Sequence, residues 1–144
     1  MKLSSGNVYD AHYALEAIVN TKRVLPQTAK YRLARMHKTL NVEFAILEEE
    51  RVKLVKELGE AVKNEEGQET GWQVPPTKME EYSKRWTEFR ATVIDVAVEP
   101  IYLFALGNDP NGIETKEFEM LGDLVTEGDG SAMNAKVPAT PTVG

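Results

Sequence analysis

Residues 27–58 read QTAKYRLARMHKTLNVEFAILEEERVKLVKEL, and this stretch decides the fold. Leucine recurs at every seventh position, at Leu33, Leu40, Leu47 and Leu54. A sustained seven-residue apolar repeat is typical of an α-helix with a continuous apolar seam. The alternate seam positions are His37, Phe44, Arg51 and Leu58. We predict one long helix that begins at Gln27 or Thr28 and ends at Leu58 or near Glu66, and whose seam serves packing and not catalysis.

The composition is that of one globular domain. Of the 144 residues, 42% are hydrophobic and 28% are charged, which is enough apolar material for a real core. Cysteine is absent, so a disulfide framework and a thiolate metal site are excluded. The net charge of −6 disfavours nucleic-acid binding through the whole surface. We expect a single helical domain over residues 1–127 and a flexible tail over 128–144, where small residues, glycine and proline dominate.

Three further amphipathic segments complete a mainly α fold. The first runs from Asn7, a possible N-cap, to about Val19. The second follows a polar loop at 64–76 and starts with a possible capping box at Thr77 and Glu80, after which an aromatic stripe recurs at helical spacing. We predict that this helix returns antiparallel along the leucine seam to form a helical hairpin. A short C-terminal helix with Phe118, Leu121 and Leu124 on one face follows.

The segment 93–104 has a different pattern. Its β-branched and aromatic residues favour extended structure, and Pro100 restricts it to an edge or a bulged strand. An extended segment needs a partner strand. The candidate within the chain is a short strand around residues 72–74, and pairing with another chain is the alternative.

No constellation of residues points to catalysis. The two histidines, His12 and His37, are 25 positions apart and form no familiar ligand spacing. The run Glu48 to Glu50 diverges around a helix and indicates a solvated face. Phosphate-binding glycine motifs and nucleophile elbows are absent. We therefore predict no enzyme activity and no catalytic, cofactor-binding or metal-binding residues.

The charge along the long helix is inverted between its two ends. Six basic residues and no acidic residue lie between Glu16 and Glu43, whereas eight glutamates and four basic residues lie from Glu48 to Glu69. This order opposes the helix dipole. Three explanations remain open: an ordinary solvated face, antiparallel pairing of two copies with the basic half of one against the acidic half of the other, or a basic patch over residues 22–38 that contacts nucleic acid or an acidic partner.

Several stretches resemble a family of small tailed-bacteriophage proteins of unassigned role. They are NVYDAHYALEAIVN, AKYRLARMHKTLNVEFAILEEERVKLVKELGE, MEEYSKRWTEFRAT, VIDVAVEPIYLFAL and ETKEFEMLGDLV. The resemblance covers residues 5–127. The Pro-rich loop at 64–76 and the stretch GNDPNG depart from the family pattern. The resemblance implies a virion component or an assembly factor made in the host cytoplasm, and it carries over no active-site residue.

The leading expectation is therefore a bacteriophage structural or assembly protein that contacts other phage proteins, or copies of itself, in a head, connector or tail. The alternatives are a non-virion chaperone or scaffold, and a small regulator that binds a host protein or nucleic acid. No membrane partner is expected. The residues predicted to contact a partner are Tyr31, Arg35, Lys38, Ile101, Tyr102 and Phe104, together with the tail. For Ile101 and Tyr102, the competing explanation is stabilisation of the fold.

Overall fold

The computed structural model describes residues 1–127, and the predicted tail 128–144 lies outside this part. The fold is mainly helical with short strands, as predicted from the sequence. In chain order the elements are β1 (Lys2–Ser4), α1 (Ser5–Val19), α2 (Gln27–Leu58), β2 (Glu60–Lys63), β3 (Glu69–Gln73), α3 (Met79–Ala91), β4 (Val93–Asp95), β5 (Ile101–Tyr102), α4 (Thr115–Leu121) and β6 (Val125–Thr126). Short 3-10 turns lie at Pro76–Lys78, Leu103–Leu106 and Gly122–Leu124.

The long helix α2 begins at Gln27 and ends at Leu58, the nearer of the two predicted ends. It spans 32 residues, or about 48 Å, and its four heptad leucines are buried. It ends because Gly59 adopts an extended conformation, with φ −104° and ψ −177°. A Cβ atom at this position would clash with the carbonyl oxygen of Val55 and lie 2.8 Å from the carbonyl oxygen of Gln73. Glycine therefore allows β3 to pass close to the end of the helix.

Helix α1 packs antiparallel on α2 and buries Val8, Ala11, Leu15 and Ile18. Its N-cap is Ser4, whose Oγ accepts a hydrogen bond from the backbone N–H of Asn7 at 3.0 Å, so the prediction of Asn7 as the cap was wrong. The Asn7 side chain instead donates to the carbonyl of Leu121 and accepts from the N–H of Asp123. This residue therefore joins α1 to the C-terminal helix α4.

The connection between α2 and α3 is a β-hairpin and not the polar loop predicted from sequence. Strands β2 and β3 pair antiparallel, and their turn is organised by Asn64, whose Oδ1 accepts hydrogen bonds from the N–H groups of Glu66 and Gln68. Helix α3 begins at Met79 after a 3-10 turn, without a side-chain cap, so the predicted capping box does not form. Trp86 and Phe89 of α3 pack against the core.

The extended segment finds its partners at the two ends of the described chain. Strand β4 pairs antiparallel with β1, and β5 pairs in parallel with β6. The prediction of a partner around residues 72–74 was wrong, because β3 is already paired with β2. Partners of two or three residues are too short to show an alternating pattern in the sequence. Pairing within the chain also removes the need for a strand from a second protein.

Candidate partner-binding surface

The side of α2 that faces away from the core carries a second heptad pattern. Its positions are spaced alternately by four and three residues, and all eight are exposed: Tyr31, Arg35, Lys38, Val42, Ala45, Glu49, Val52 and Lys56. We call these residues the outer face. Val42 is 62% exposed, and the neighbouring Ile46 is 51% exposed. An exposed stripe at this spacing is the arrangement that lets one helix pack along another.

Three of the predicted contact residues lie on this outer face. Tyr31 is 61% exposed, and Arg35 and Lys38 are also exposed. The guanidinium carbon of Arg35 lies 5.8 Å from the centre of the Tyr31 ring, within the range of a cation–π contact. The basic end of α2 therefore presents an aromatic ring and two cations side by side.

The other three predicted residues separate into a core residue and a surface pair. Ile101 is 1% exposed and belongs to the hydrophobic core, so its prediction as a partner contact was wrong. Successive side chains of a strand point to opposite faces, so Ile101 faces the core while Tyr102, next to it on β5, is exposed. Tyr102 and Phe104 are 39% and 52% exposed, and their rings stack with centroids 5.5 Å apart. This pair forms a small exposed aromatic patch of its own.

A cavity of about 360 Å³ lies between α2 and the extended segment, and its lining includes Arg32, Arg35, Met36, Val98 and Ile101. Arg32 donates a hydrogen bond from Nη2 to the carbonyl oxygen of Pro100 at 3.2 Å. Part of the basic charge near the start of α2 is therefore used to hold the segment 97–101 in place. Arg35 and Ile101, two of the six predicted residues, meet at this cavity.

A polar network joins the acidic half of α2 to α1. The hydroxyl of Tyr9 donates to Oε2 of Glu48, and Nε of Arg51 donates to Oε1 of Glu48 at 2.7 Å. The hydrogen bond from Arg51 is the main reason that the pKa of Glu48 lies below its usual value. Burial, assisted by the bond to Glu48, raises the pKa of Tyr9. This network explains how the seam accommodates the charge of Arg51.

The two histidines that the sequence analysis treated as unrelated are neighbours. His12 of α1 and His37 of α2 stack with ring centroids 5.8 Å apart, and Glu16 lies one helical turn after His12. Sequence spacing gave no sign of this contact, because it forms between residues of two different helices. A His-x-x-x-Glu spacing on α1 was the local signal that could have drawn attention to the cluster.

No protein-family model, curated protein or solved structure matches this chain. The resemblance to tailed-bacteriophage proteins therefore stays a prediction from the sequence. Among the helices of residues 1–127, none combines the length and the apolar character that crossing a membrane requires. Chemically, the outer face offers apolar contact and charges of both signs, which suits binding of another protein helix.

Proposed function

We propose that this protein works through protein–protein contacts, as a structural or assembly protein, and that a second copy of the chain binds to its outer face. The observation that carries the proposal is the heptad spacing of eight exposed residues on the side of α2 opposite its buried leucines. A helix with apolar residues on both sides has a second surface to cover. Val42, Ala45 and Val52 form the apolar part of that surface.

The charges select an antiparallel arrangement. The outer face is symmetric about the midpoint between Val42 and Ala45, so an antiparallel copy brings Val42 opposite Ala45 and Lys38 opposite Glu49. The same symmetry brings the basic half of one helix against the acidic half of the other. A parallel pair would place Lys38 against Lys38 and Glu49 against Glu49, which is repulsive. The charge inversion along α2 therefore favours one orientation.

The setting that we propose for this association is a tailed bacteriophage, as a component of the head, connector or tail or as a factor in its assembly. This part of the proposal rests on the sequence resemblance. The exposed pair Tyr102 and Phe104 and the cavity beside Arg35 supply further surfaces for contact with a different protein. In a phage, such a protein would be found in the virion and, during assembly, in the host cytoplasm.

Sedimentation equilibrium over a wide concentration range tests the self-association. We expect a monomer–dimer equilibrium for the wild-type chain, and a shift towards monomer for Val42→Glu, because a buried charge at the symmetric centre has no partner. Val93→Glu is the matched control, since Val93 on β4 is 60% exposed and lies away from α2. Equal dimerisation of the two variants would show that the outer face is not the contact.

The phage setting has a separate test. Mass spectrometry of purified particles, calibrated against the major capsid protein, measures how many copies of this protein each particle holds. A fixed copy number supports a virion component. Absence from particles together with abundance in infected cells contradicts a place in the mature virion.

A further inference from the structure

His12, Glu16 and His37 form a compact group of metal-ligand side chains that the proposed contact surface does not use. One donor atom from each of the three residues lies within 4.8 Å of the others. Nε2 of His12 is 3.4 Å from Oε2 of Glu16. The group joins two elements, because His12 and Glu16 stand one turn apart on α1 and His37 stands on α2.

The surroundings hold this group in a defined position. The side chain of His12 is 8% exposed, and its ring stacks on Phe44 with centroids 3.7 Å apart and planes inclined by 12°. Tyr13 contacts the edges of both rings. Burial lowers the pKa of His12, with Glu16 opposing the shift.

One nitrogen of each histidine lacks a hydrogen-bond partner among the residues that the structure describes. Among the described residues, no hydrogen bond reaches Nδ1 of His12 or Nε2 of His37, although both atoms are buried. Buried polar atoms are nearly always satisfied, so an unsatisfied pair in one cluster requires an explanation. A ligand that binds His12 through Nε2 and His37 through Nε2 would supply it for the His37 atom, and Nδ1 of His12 would stay without a partner.

We propose that His12, Glu16 and His37 bind a zinc ion that joins α1 to α2. Two imidazoles and one carboxylate are ligands that suit Zn²⁺ and other late divalent transition metals, whereas Mg²⁺ and Ca²⁺ prefer oxygen ligands alone. Ligand atoms about 2.0–2.1 Å from a tetrahedral Zn²⁺ lie roughly 3.3–3.4 Å from one another. The separation of the His12 and Glu16 donor atoms already fits this value. Small side-chain rotations would shorten the other two separations between donor atoms.

The exposure of the group determines what kind of site it is. Glu16 is 53% exposed, so the ion can enter from solvent and a water molecule can fill the fourth position. The buried His12 anchors the site from within. Binding an ion to ligands on both helices stabilises the folded state by mass action, since the unfolded chain has no preformed site.

Titration calorimetry with ZnCl₂ on chain without a histidine tag tests the proposal directly. We expect one ion per chain, and visible d–d absorption bands of a low-symmetry site when Co²⁺ replaces Zn²⁺. His37→Gln and Glu16→Gln should each weaken zinc binding at least about 10-fold, because even second-shell changes at metal sites cost 10- to 100-fold. The melting temperature of the wild type should rise with zinc and fall back when a chelator is added.

A matched control separates a metal site from nonspecific binding by carboxylates. Glu119→Gln removes one exposed carboxylate of α4 and should leave zinc affinity unchanged. Circular dichroism without zinc should show that His37→Gln and Glu16→Gln remain folded. Equal zinc affinity of the wild type and the double variant His37→Gln/Glu16→Gln would overturn the proposal. So would binding of several ions per chain with no effect of any of these substitutions.

Discussion

Arg23 and Glu117 form a nearly buried ion pair that joins residues 94 positions apart. Nη1 and Nη2 of the guanidinium donate to the two carboxylate oxygens at 2.5 and 2.8 Å, and the side chains are only 11% and 10% exposed. Glu117 Oε1 also accepts from the backbone N–H of Glu114 at 2.9 Å. The pair fixes the loop after α1 to the first turn of α4, and both its geometry and its burial make it stronger than a surface ion pair.

The first prediction concerns the pH dependence of this pair. Arg23 lowers the pKa of Glu117, with burial opposing the shift, so the stabilisation is fully present above the usual glutamate pKa of about 4.3 and is lost as the pH falls. Glu117→Gln should lower the free energy of unfolding at pH 7 by about 2–3 kcal/mol. In urea unfolding, the difference in unfolding free energy between wild type and variant should become smaller below about pH 4. The control Glu119→Gln should show no such trend.

The second prediction concerns Tyr9, which is 6% exposed and donates its hydroxyl hydrogen to Glu48. Tyr9→Phe should lower the free energy of unfolding by about 1.5–3 kcal/mol at pH 8, because the charged Glu48 carboxylate loses a hydrogen-bond donor. Since the pKa of Tyr9 is raised in the fold, its contribution is present below the usual tyrosine pKa of about 10 and is lost as the pH rises further. Chemical unfolding at pH 8 and pH 10.5 should therefore show a smaller difference in unfolding free energy between wild type and Tyr9→Phe at the higher pH. A difference that does not change with pH would mean that neither burial nor the hydrogen bond to Glu48 raises the pKa of Tyr9.

The sequence could predict the long helix because its leucine repeat extends over more than three heptads. Leu33 through Leu54 mark one face, whereas the sequence left the end open between Leu58 and about Glu66, and the structure ends the helix at Leu58. The short strands carry no such signal. Strand β5 holds two residues, and its partner β6 is also two residues long, so their pairing depends on tertiary packing and not on local pattern.

The candidate sites also differ in how far the sequence could predict them. Tyr31, Arg35 and Lys38 could be identified from the charge pattern, because the exposed side of a long helix follows from its buried side. The pairing of His12 with His37 could not, since it depends on how α1 lies on α2. Ile101 resembled a surface strand residue because the burial of a strand is fixed by what covers it.

The third prediction tests the assignment of Ile101 to the core. Ile101→Ala should lower the free energy of unfolding by about 2–5 kcal/mol, since the residue is 1% exposed. Phe104→Ala, at a residue that is 52% exposed, should cost less than about 1 kcal/mol. Thermal or urea unfolding of the two variants provides the comparison. A small loss for Ile101→Ala would return this residue to the list of possible partner contacts.

The fourth prediction concerns the junction of α2 and the β-hairpin. Gly59→Ala would place a Cβ atom against the carbonyl oxygen of Val55 and 2.8 Å from the carbonyl oxygen of Gln73, so it should destabilise the fold by about 1–3 kcal/mol. Gly6→Ala is the contrasting variant, because its Cβ would meet only the flexible end of Arg90 while alanine favours the helix α1. Its unfolding free energy should change little. Similar losses at the two glycines would show that backbone proximity at Gly59 is not the cause.

The fifth prediction tests the register of the proposed dimer. In an antiparallel pair, Lys38 of each copy faces Glu49 of the other, so Lys38→Glu or Glu49→Lys alone converts two attractive contacts into two repulsive ones. Exposed pairs contribute about 0.2–1 kcal/mol each, so each single variant should dimerise roughly tenfold more weakly at low salt. The double variant Lys38→Glu/Glu49→Lys should recover wild-type dimerisation in sedimentation equilibrium.

Mixing the two single variants sharpens this test. The Lys38→Glu copy then carries glutamate at both positions and the Glu49→Lys copy carries lysine at both, so every facing pair in the mixed dimer is attractive. We expect the mixture to dimerise more tightly than either variant alone, and the difference to shrink at high salt because exposed charges are screened. If the double variant fails to recover, Lys38 and Glu49 do not face each other. A wild-type chain that stays monomeric at every concentration would contradict self-association through the outer face, whatever the charges do.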